Sequence, residues 1–183
     1  GLEFQNLFLK SENLPQANKT IENSNYLSFF GFLNHDTFDN KFFPKKGWYF
    51  KSNFNYYFNS TDYTNRFDKF SIAKADMGIA ITPIKKFSFI LQNEGGFKVG
   101  YSSLPYFDFV LGGYGFKDTN NIRSFYGYDF LNLSGNSYVK ATGTLDYEFY
   151  KKNHFNLTYN ASIVGDFIFN ATKNWLNKPS FTG

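Results

Sequence analysis

The residues with most potential for chemistry in this chain are two histidines, scattered acids and one arginine in a long polar segment. His35 and His154 each stand without a second His, a Cys or an acidic cluster at ligand spacing, so neither predicts a metal site. The run Gly100-Tyr101-Ser102-Ser103-Leu104 lacks the second glycine of a Gly-x-Ser-x-Gly nucleophile elbow. The sequence therefore predicts no catalytic residue, no metal and no cofactor within these residues.

Arg123 is the charged residue whose position allows a specific role. It lies in the segment 101–134, which has few periodic features and many turn residues. A guanidinium enclosed by protein needs carboxylate or carbonyl partners, and Asp146 and Glu148 lie on the polar face of the next predicted strand. Two interpretations follow, a solvated loop arginine or an arginine that fastens the loop to those acids. The residues taken alone favour the solvated loop.

The elements that would position these residues are long amphipathic strands. From residue 135 to 149, polar and apolar side chains alternate strictly, which predicts a strand with one polar and one apolar face. The same alternation recurs, more weakly in the first two cases, in 2–10, 25–36, 48–58, 70–82, 87–99 and 154–165. The result is about seven strands, mostly of about ten residues or more, whereas ordinary strands have about five or six.

Strand length separates the two all-β alternatives. About 9–11 tilted residues cross a bilayer, so these lengths and faces predict a transmembrane β-barrel. The alternative is a soluble β-sandwich, whose outer faces are rarely so long and so regular. Polar glutamate and lysine pairs such as Glu94 and Lys98 then belong to a wet lumen network and not to a catalytic pair.

Composition is compatible with the barrel and excludes several other classes. The mean hydropathy is −0.42 and aromatic residues make up 23% of the chain. No stretch approaches the ~20 apolar residues that a membrane helix requires. There is no cysteine, which excludes a disulfide scaffold. The formal charge of +4 is spread along the chain, so the sequence predicts no nucleic-acid partner.

The connections between the predicted strands alternate in length. Those at 84–86 and 150–153 are short and basic, 38–46 is intermediate, and 101–134 is long and polar. Short turns at one end and long loops at the other are typical of outer-membrane barrels, with the short turns in the periplasm. About seven strands are too few for such a barrel, so we expect missing strands or another chain to complete it, and residues 181–183 to approach a further strand.

Motifs in the long segment resemble the BamA/TamA superfamily of outer-membrane barrels. The superfamily carries a Pro-aromatic-Phe run, a Gly-Gly pair and a Val/Ile-Arg-Gly-Phe/Tyr signature. Here they correspond to Pro105-Tyr106-Phe107, Gly112-Gly113 and Ile122-Arg123-Ser124-Phe125, with Ser124 in place of the glycine. The resemblance extends over 43–166, from a Pro-x-x-Gly strand entry at Pro44 to the strands around 135–149.

This resemblance implies a specific fold. It implies that the whole chain, 1–183, is an all-β, antiparallel, up-and-down barrel segment, the about seven strands being part of a barrel of about 16. The long segment would be an extracellular loop, about 101–134, that folds back into the lumen. The residues implied to pin that loop in the lumen are Arg123, Phe125, Gly112, Gly113, Asp146 and Glu148.

Within the superfamily, 126–131 and 146–154 look most like the barrel of patatin-like phospholipases from Bacteroidota. That implies a barrel that anchors or displays a patatin-like (phospho)lipase domain outside this chain, in the outer membrane of a Gram-negative bacterium. The alternatives are a BamA/TamA-type barrel that inserts or translocates other outer-membrane proteins, and a short structural barrel completed by oligomerisation. The implied partners are outer-membrane lipids and lipopolysaccharide, and a second copy or other outer-membrane proteins.

Overall fold

The computed structural model describes residues 1–10, 20–61, 67–100, 105–116, 118–166 and 180–182. Eight strands form one antiparallel sheet in chain order, interrupted only by three short strands of the long segment. The eight are β1 (Leu2–Lys10), β2 (Thr20–Asp36), β3 (Gly47–Ser60), β4 (Phe70–Ile84), β5 (Phe87–Val99), β9 (Ser137–Tyr150), β10 (Asn153–Gly165) and β11 (Ser180–Thr182). In the described residues no helix has the length and apolar character needed to cross a membrane.

The predicted all-β fold is confirmed, because the seven expected strands are all present and follow one another in a sheet that is open at both edges. They have 9 to 17 residues, which matches the expected lengths. The expected approach to a further strand appears as β11, which pairs with β10 over three residues, while Gly183 lies outside the described residues.

The long segment between β5 and β9 forms a small sheet of its own. After a 3-10 turn at Pro105–Phe107 come β6 (Phe109–Leu111), β7 (Ile122–Arg123) and β8 (Leu133–Gly135). Strand β6 pairs in parallel with β7 and antiparallel with β8. Residues 101–104 and 117 of the predicted loop lie outside the described residues. We call 105–135 the inward loop, and the face of the large sheet that it covers the inner face.

The two faces of the large sheet differ in chemistry, as the alternation predicts. On β4, the outward Met77, Ile79 and Ile81 are about half exposed, whereas the inward Ile72 and Ala80 are buried. The opposite, outer face is a nearly continuous apolar surface, as bilayer-facing strands require. Its exposed side chains include Leu2, Phe4, Phe29, Leu33, Trp48, Phe54, Phe89, Leu91, Phe97, Phe149, Phe155 and Leu157.

The inner face is polar and cross-linked by hydrogen bonds between strands. The Tyr49 hydroxyl donates to Asp76 at 2.6 Å and accepts from the Gln92 amide at 3.0 Å, which joins β3, β4 and β5. On β9 and β10, Thr144 and Thr158 are hydrogen-bonded at 3.1 Å. Polar groups removed from water need such partners, and these bonds provide them between neighbouring strands of the inner face.

Towards one end the inner face becomes apolar, and there it meets the inward loop. Phe107, Phe109, Leu111 and Phe125 of the loop are at most 2% exposed. They form one buried cluster with residues of the large sheet, which we call the wall. These are Leu7, Tyr26, Tyr57, Phe70, Ile72 and Tyr138. The hydrophobic core of the described residues therefore lies between the inward loop, with its small sheet, and the inner face of the large sheet.

The face assignment predicts how an added charge on β5 behaves. We expect Leu91→Lys to lower the free energy of unfolding of the full-length protein in lipid vesicles by about 2–4 kcal/mol, because Leu91 is on the outer face. The matched change Gln92→Lys puts the same charge on the inner face near Glu94 and costs about 0.5–1.5 kcal/mol, for the hydrogen bond to Tyr49 that it removes. Denaturant titration measures both, and equal losses would contradict the assignment.

Candidate functional site

The inward loop is held to the wall first by an aromatic contact. The Phe107 ring lies 5.1 Å from the rings of Tyr26 and Tyr57 and 4.8 Å from that of Phe70, all centroid to centroid. The three wall residues come from β2, β3 and β4. Complete burial of such a side chain stabilises by about 1.5–3 kcal/mol, and edge-to-face geometry adds to this. Phe107 therefore fixes the entry of the loop against three strands at once.

Three polar contacts lie near Phe107 and fix the adjoining stretches of the loop. Lys98 of β5 forms an ion pair with Asp108, and the Lys98 side chain is only 5% exposed. The Asn121 amide donates to the Phe107 carbonyl at 2.9 Å. Lys74 of β4 reaches the Asn120 carbonyl at 3.2 Å. Two lysines of the inner face thus contact oxygens of the loop, and Asp108 compensates the charge of the buried Lys98.

Gly96 provides the space in which the loop approaches β5. A Cβ atom at Gly96 would lie 2.5 Å from the Phe109 ring and 2.8 Å from the Tyr138 ring. Those two rings pack on each other at 4.8 Å. A side chain at this position would displace one of them, so the loop depends on a glycine of the wall as well as on its own sequence.

Arg123 reaches the inner wall deeper in the lumen. Its Nε donates to the Tyr138 hydroxyl at 3.0 Å and lies 3.7 Å from a Glu94 carboxylate oxygen. Its Nη1 donates to the carbonyls of Asn120 and Ile122 at 3.0 and 2.9 Å. The guanidinium therefore braces the loop backbone and contacts β5 and β9 together, which a planar five-donor group does well.

Glu94 joins the loop arginine to a wall lysine. The same carboxylate forms an ion pair with Lys140 of β9, and the Lys140 ammonium donates to the Ser124 carbonyl at 2.9 Å. Arg123, Glu94 and Lys140 side chains are 11–13% exposed. A buried carboxylate between two cations is compensated in a way that a single exposed ion pair is not.

The wall places a row of charges under the loop. Reading across the sheet register, Lys51 lies opposite Asp76, Asp76 opposite Glu94, and Glu94 opposite Lys140. Two acids are thus direct neighbours, an arrangement that repulsion disfavours unless cations flank it. Arg123 lines the same cavity as Asp76 and Glu94, so it adds positive charge where the wall is most negative.

The predicted acidic partners of Arg123 require correction. Asp146 lies 2.9 Å from Nδ1 of His154, and Glu148 accepts from Lys45 at 2.6 Å. In the register Glu94 lies opposite Lys140 and Ser88 opposite Asp146, so Asp146 is about 20 Å farther along the wall. The structure brings the loop residues together but separates them from both acids. The prediction of these partners was wrong because alternation gives the face on which a residue lies and not its height along the strand. That Arg123 pins the loop stays a prediction.

Phe125, Gly112 and Gly113 meet within the loop. The Phe125 N–H donates to the Gly113 carbonyl at 2.9 Å, and the Gly112 N–H donates to the Arg123 carbonyl at 3.1 Å. Both glycines have positive φ, +139° and +71°. A Cβ atom at Gly112 would lie 2.1 Å from the Asp129 carbonyl oxygen, which no side chain tolerates. The pair thus lets the chain turn beneath Arg123.

A second contact region lies at the short-turn end of the sheet. The connection 37–46 reaches from β2 to β9 and β10, where the Phe43 ring stacks on His154 at 3.9 Å and Lys45 meets Glu148. That hydrogen bond raises the pKa of Lys45 above its usual value. His35 lies elsewhere, against Trp48 on the outer face, with centroids 4.4 Å apart.

Asp39 gives the connection 37–46 its shape. Its carboxylate accepts from the backbone N–H groups of Lys45 and Lys46 at 2.9 and 3.2 Å. Slight desolvation acts to raise the pKa of Asp39, but these hydrogen bonds and nearby Lys46 outweigh it, so the pKa lies below its usual value. The contact is therefore present at neutral pH and is lost only as the pH falls through that lowered pKa.

Residues of this site that sequence reasoning did not assign to the loop are Glu94, Lys98, Lys140, Tyr138 and Lys74. Glu94 and Lys98 were predicted only as members of a lumen network, and each in fact contacts the loop or its arginine. All five belong to the polar face of a strand in the alternation pattern. That pattern marks them as inward but leaves their partners undetermined.

Comparison with known proteins gives one match. A family model described as the OMP85 superfamily matches residues 1–183. The search of curated proteins and the search of solved structures returned no match. The family model covers every strand of the large sheet together with the inward loop.

Double-mutant cycles can distinguish Glu94 from Glu148 as the acidic partner of Arg123. For Arg123→Gln with Glu94→Gln we expect a coupling energy of about 1–3 kcal/mol in the unfolding free energy of the full-length protein. For Arg123→Gln with Glu148→Gln the two effects should add within about 0.5 kcal/mol. Coupling to Glu148 that equals coupling to Glu94 would contradict the geometry.

Gly112 offers a test of the loop turn. We expect Gly112→Ala to speed trypsin cleavage within the inward loop at least about tenfold, because a clash with the Asp129 carbonyl costs more than about 1.4 kcal/mol. Gly115→Ala is the matched control, since Gly115 also has positive φ but has nothing near its Cβ position. Equal cleavage rates for the two variants would show that the clash is relieved without opening the loop.

Proposed function

Because this chain belongs to the OMP85 superfamily, whose members are outer-membrane β-barrels, we propose that residues 1–183 form one segment of the anchoring barrel of a Gram-negative outer-membrane protein. The observation that carries this is the inward loop, whose Phe107, Phe109 and Phe125 are sealed against the inner wall. A lumen occupied by a packed loop is a rigid support and not an open path for solutes.

The finer proposal is that the barrel anchors or displays a patatin-like (phospho)lipase domain encoded outside these residues, in a bacterium of the Bacteroidota. Support comes from the resemblance of 126–131 and 146–154 to barrels of that kind. The connection 37–46 meets the inner face through Lys45 and Glu148, and the inward loop meets it through Arg123 and Glu94. Hydrolysis would then take place in the partner domain, with membrane phospholipid as its substrate.

An assembly factor of the BamA/TamA type is the second candidate, since superfamily membership is shared with it. A structural barrel completed by a second copy is the third candidate.

The full-length gene product distinguishes these candidates. We expect a Gly-x-Ser-x-Gly domain in the same polypeptide, phospholipase activity that sediments with outer membranes, and complete loss of activity when the serine of that motif is changed to alanine. The isolated segment 1–183, refolded in detergent micelles, is the control and should be inactive.

Other outcomes assign the chain differently. Tandem periplasmic repeat domains beside the barrel, with accumulation of unfolded outer-membrane proteins on depletion, would assign it to assembly. Neither domain, together with a detergent-stable dimer, would support the oligomeric barrel. Hydrolase activity in the isolated segment would contradict every one of these proposals.

A further inference from the structure

Two short turns of the large sheet have the same pair of lysines and the same backbone conformation. Lys85 and Lys86 join β4 to β5, and Lys151 and Lys152 join β9 to β10. In both turns the second lysine has a positive φ, +73° at Lys86 and +64° at Lys152. That conformation favours glycine or asparagine. The same basic pair thus recurs at positions where backbone preference alone would select another residue.

The two turns are neighbours in space. Strand β5 pairs with β9, and the Glu148 N–H donates to the Lys86 carbonyl at 2.9 Å. The Lys86 ammonium also reaches the Phe149 carbonyl at 3.4 Å. Adjacent strands are separated by about 4.8 Å, so four exposed lysines lie together at one rim. We call Lys85, Lys86, Lys151 and Lys152 the lysine rim.

No carboxylate balances this charge locally. The stretches 84–88 and 149–155 contain the four lysines and no acid. The acids nearest the two turns, Asp146 and Glu148, belong to the inner face and pair with His154 and Lys45. Glu148 also accepts from the backbone N–H of Lys152 at 3.2 Å, a contact with the turn's backbone and not with its ammonium group. The lysine rim is therefore a compact excess of positive charge, and any ligand that satisfies it must be anionic.

Aromatic side chains of the outer face lie next to the lysine rim. Phe87 and Tyr147 stack at 4.5 Å across β5 and β9, and Phe149, Tyr150 and Phe155 are 53–71% exposed. Aromatic girdles mark the boundary between hydrocarbon and headgroups in membrane barrels. The lysines follow within one to four residues and are exposed, so we expect their ammonium groups to extend to the height of the lipid phosphates.

We propose that the lysine rim binds the headgroups of anionic phospholipids, phosphatidylglycerol or cardiolipin, in the leaflet at the short-turn end of the barrel. The inference rests on the proposed function, which makes the short-turn end periplasmic and the leaflet a phospholipid one. A lipid fits better than an acidic protein, because the charge borders the apolar outer face directly. Juxtamembrane lysines attract anionic lipids in this way, by about fivefold for each lysine near the surface.

A tryptophan placed between the two turns reports which lipid is bound. Phe149→Trp supplies the reporter, on a background in which Trp48→Phe and Trp175→Phe remove the two tryptophans of residues 1–183 and any tryptophan in the rest of the polypeptide is likewise changed to phenylalanine. The full-length protein is folded into phosphatidylcholine vesicles that contain brominated phosphatidylglycerol or, at the same mole fraction, brominated phosphatidylcholine. The ratio of the two quenching constants measures the preference for the anionic lipid.

We expect a ratio of at least about five at low salt. The ratio should fall as the ionic strength rises, because the Debye length shortens to about 10 Å at about 0.1 M salt. Changing all four lysines to glutamine should bring the ratio close to one, whereas changing all four to arginine should preserve it. Lys85→Gln with Lys86→Gln should give an intermediate ratio, which keeps the test informative if the fourfold variant folds poorly. Lys69→Gln, which precedes β4 at the opposite end, should change nothing.

Two failures can be told apart. A ratio near one in the reporter protein, or an unchanged ratio in the fourfold glutamine variant, overturns the lipid inference, and an acidic protein would become the better candidate ligand. Failure of the unaltered full-length protein to insert into vesicles, scored by protease protection of its strands, would instead overturn the proposed membrane anchor.

Discussion

A strand that crosses hydrocarbon must give its N–H and C=O groups to neighbouring strands, because the lipid offers no hydrogen-bond partner. The other features of this structure follow from that requirement. The seven long strands pair over almost their whole length, for example in the eleven consecutive pairs between β5 and β9. Once the backbone is satisfied in this way, side chains alternate between two environments, and apolar residues collect on the outer face while polar ones line the interior.

A wall of this kind has no core of its own, and the inward loop supplies one. The loop contributes Phe107, Phe109, Leu111 and Phe125, which are all almost completely buried. They pack on the apolar end of an inner face that is mostly polar. Its position requires matched features on the wall, including the space left by Gly96. The loop and the wall therefore depend on each other for their folded positions, because each buries groups of the other that would otherwise be exposed or uncompensated.

How far the sequence predicts this arrangement depends on distance along the chain. Strict alternation located the strands, because the face of each residue is a local property with a period of two. The inward position of the loop required family resemblance, since 101–134 has no period. Neither alternation nor family resemblance could predict that Arg123 contacts Glu94 and not Asp146, because that contact depends on strand register. A register that is shifted by six residues keeps every side chain on the same face, so the pattern of faces cannot distinguish the two.

The charge row beneath the loop explains why one arginine suits this place. Asp76 and Glu94 are direct neighbours in the sheet, and Lys51 and Lys140 flank them. The Tyr49 hydroxyl also donates to Asp76. Such a row is compensated on both sides but stays most negative at its centre, where Arg123 enters. A buried ion pair contributes little net stability compared with an apolar contact of the same size, whereas an unpaired buried charge is costly. The aromatic cluster therefore supplies most of the affinity of the loop for the wall. We expect the arginine to select the depth at which the loop lies, because any other depth would take its guanidinium away from Glu94 and Tyr138.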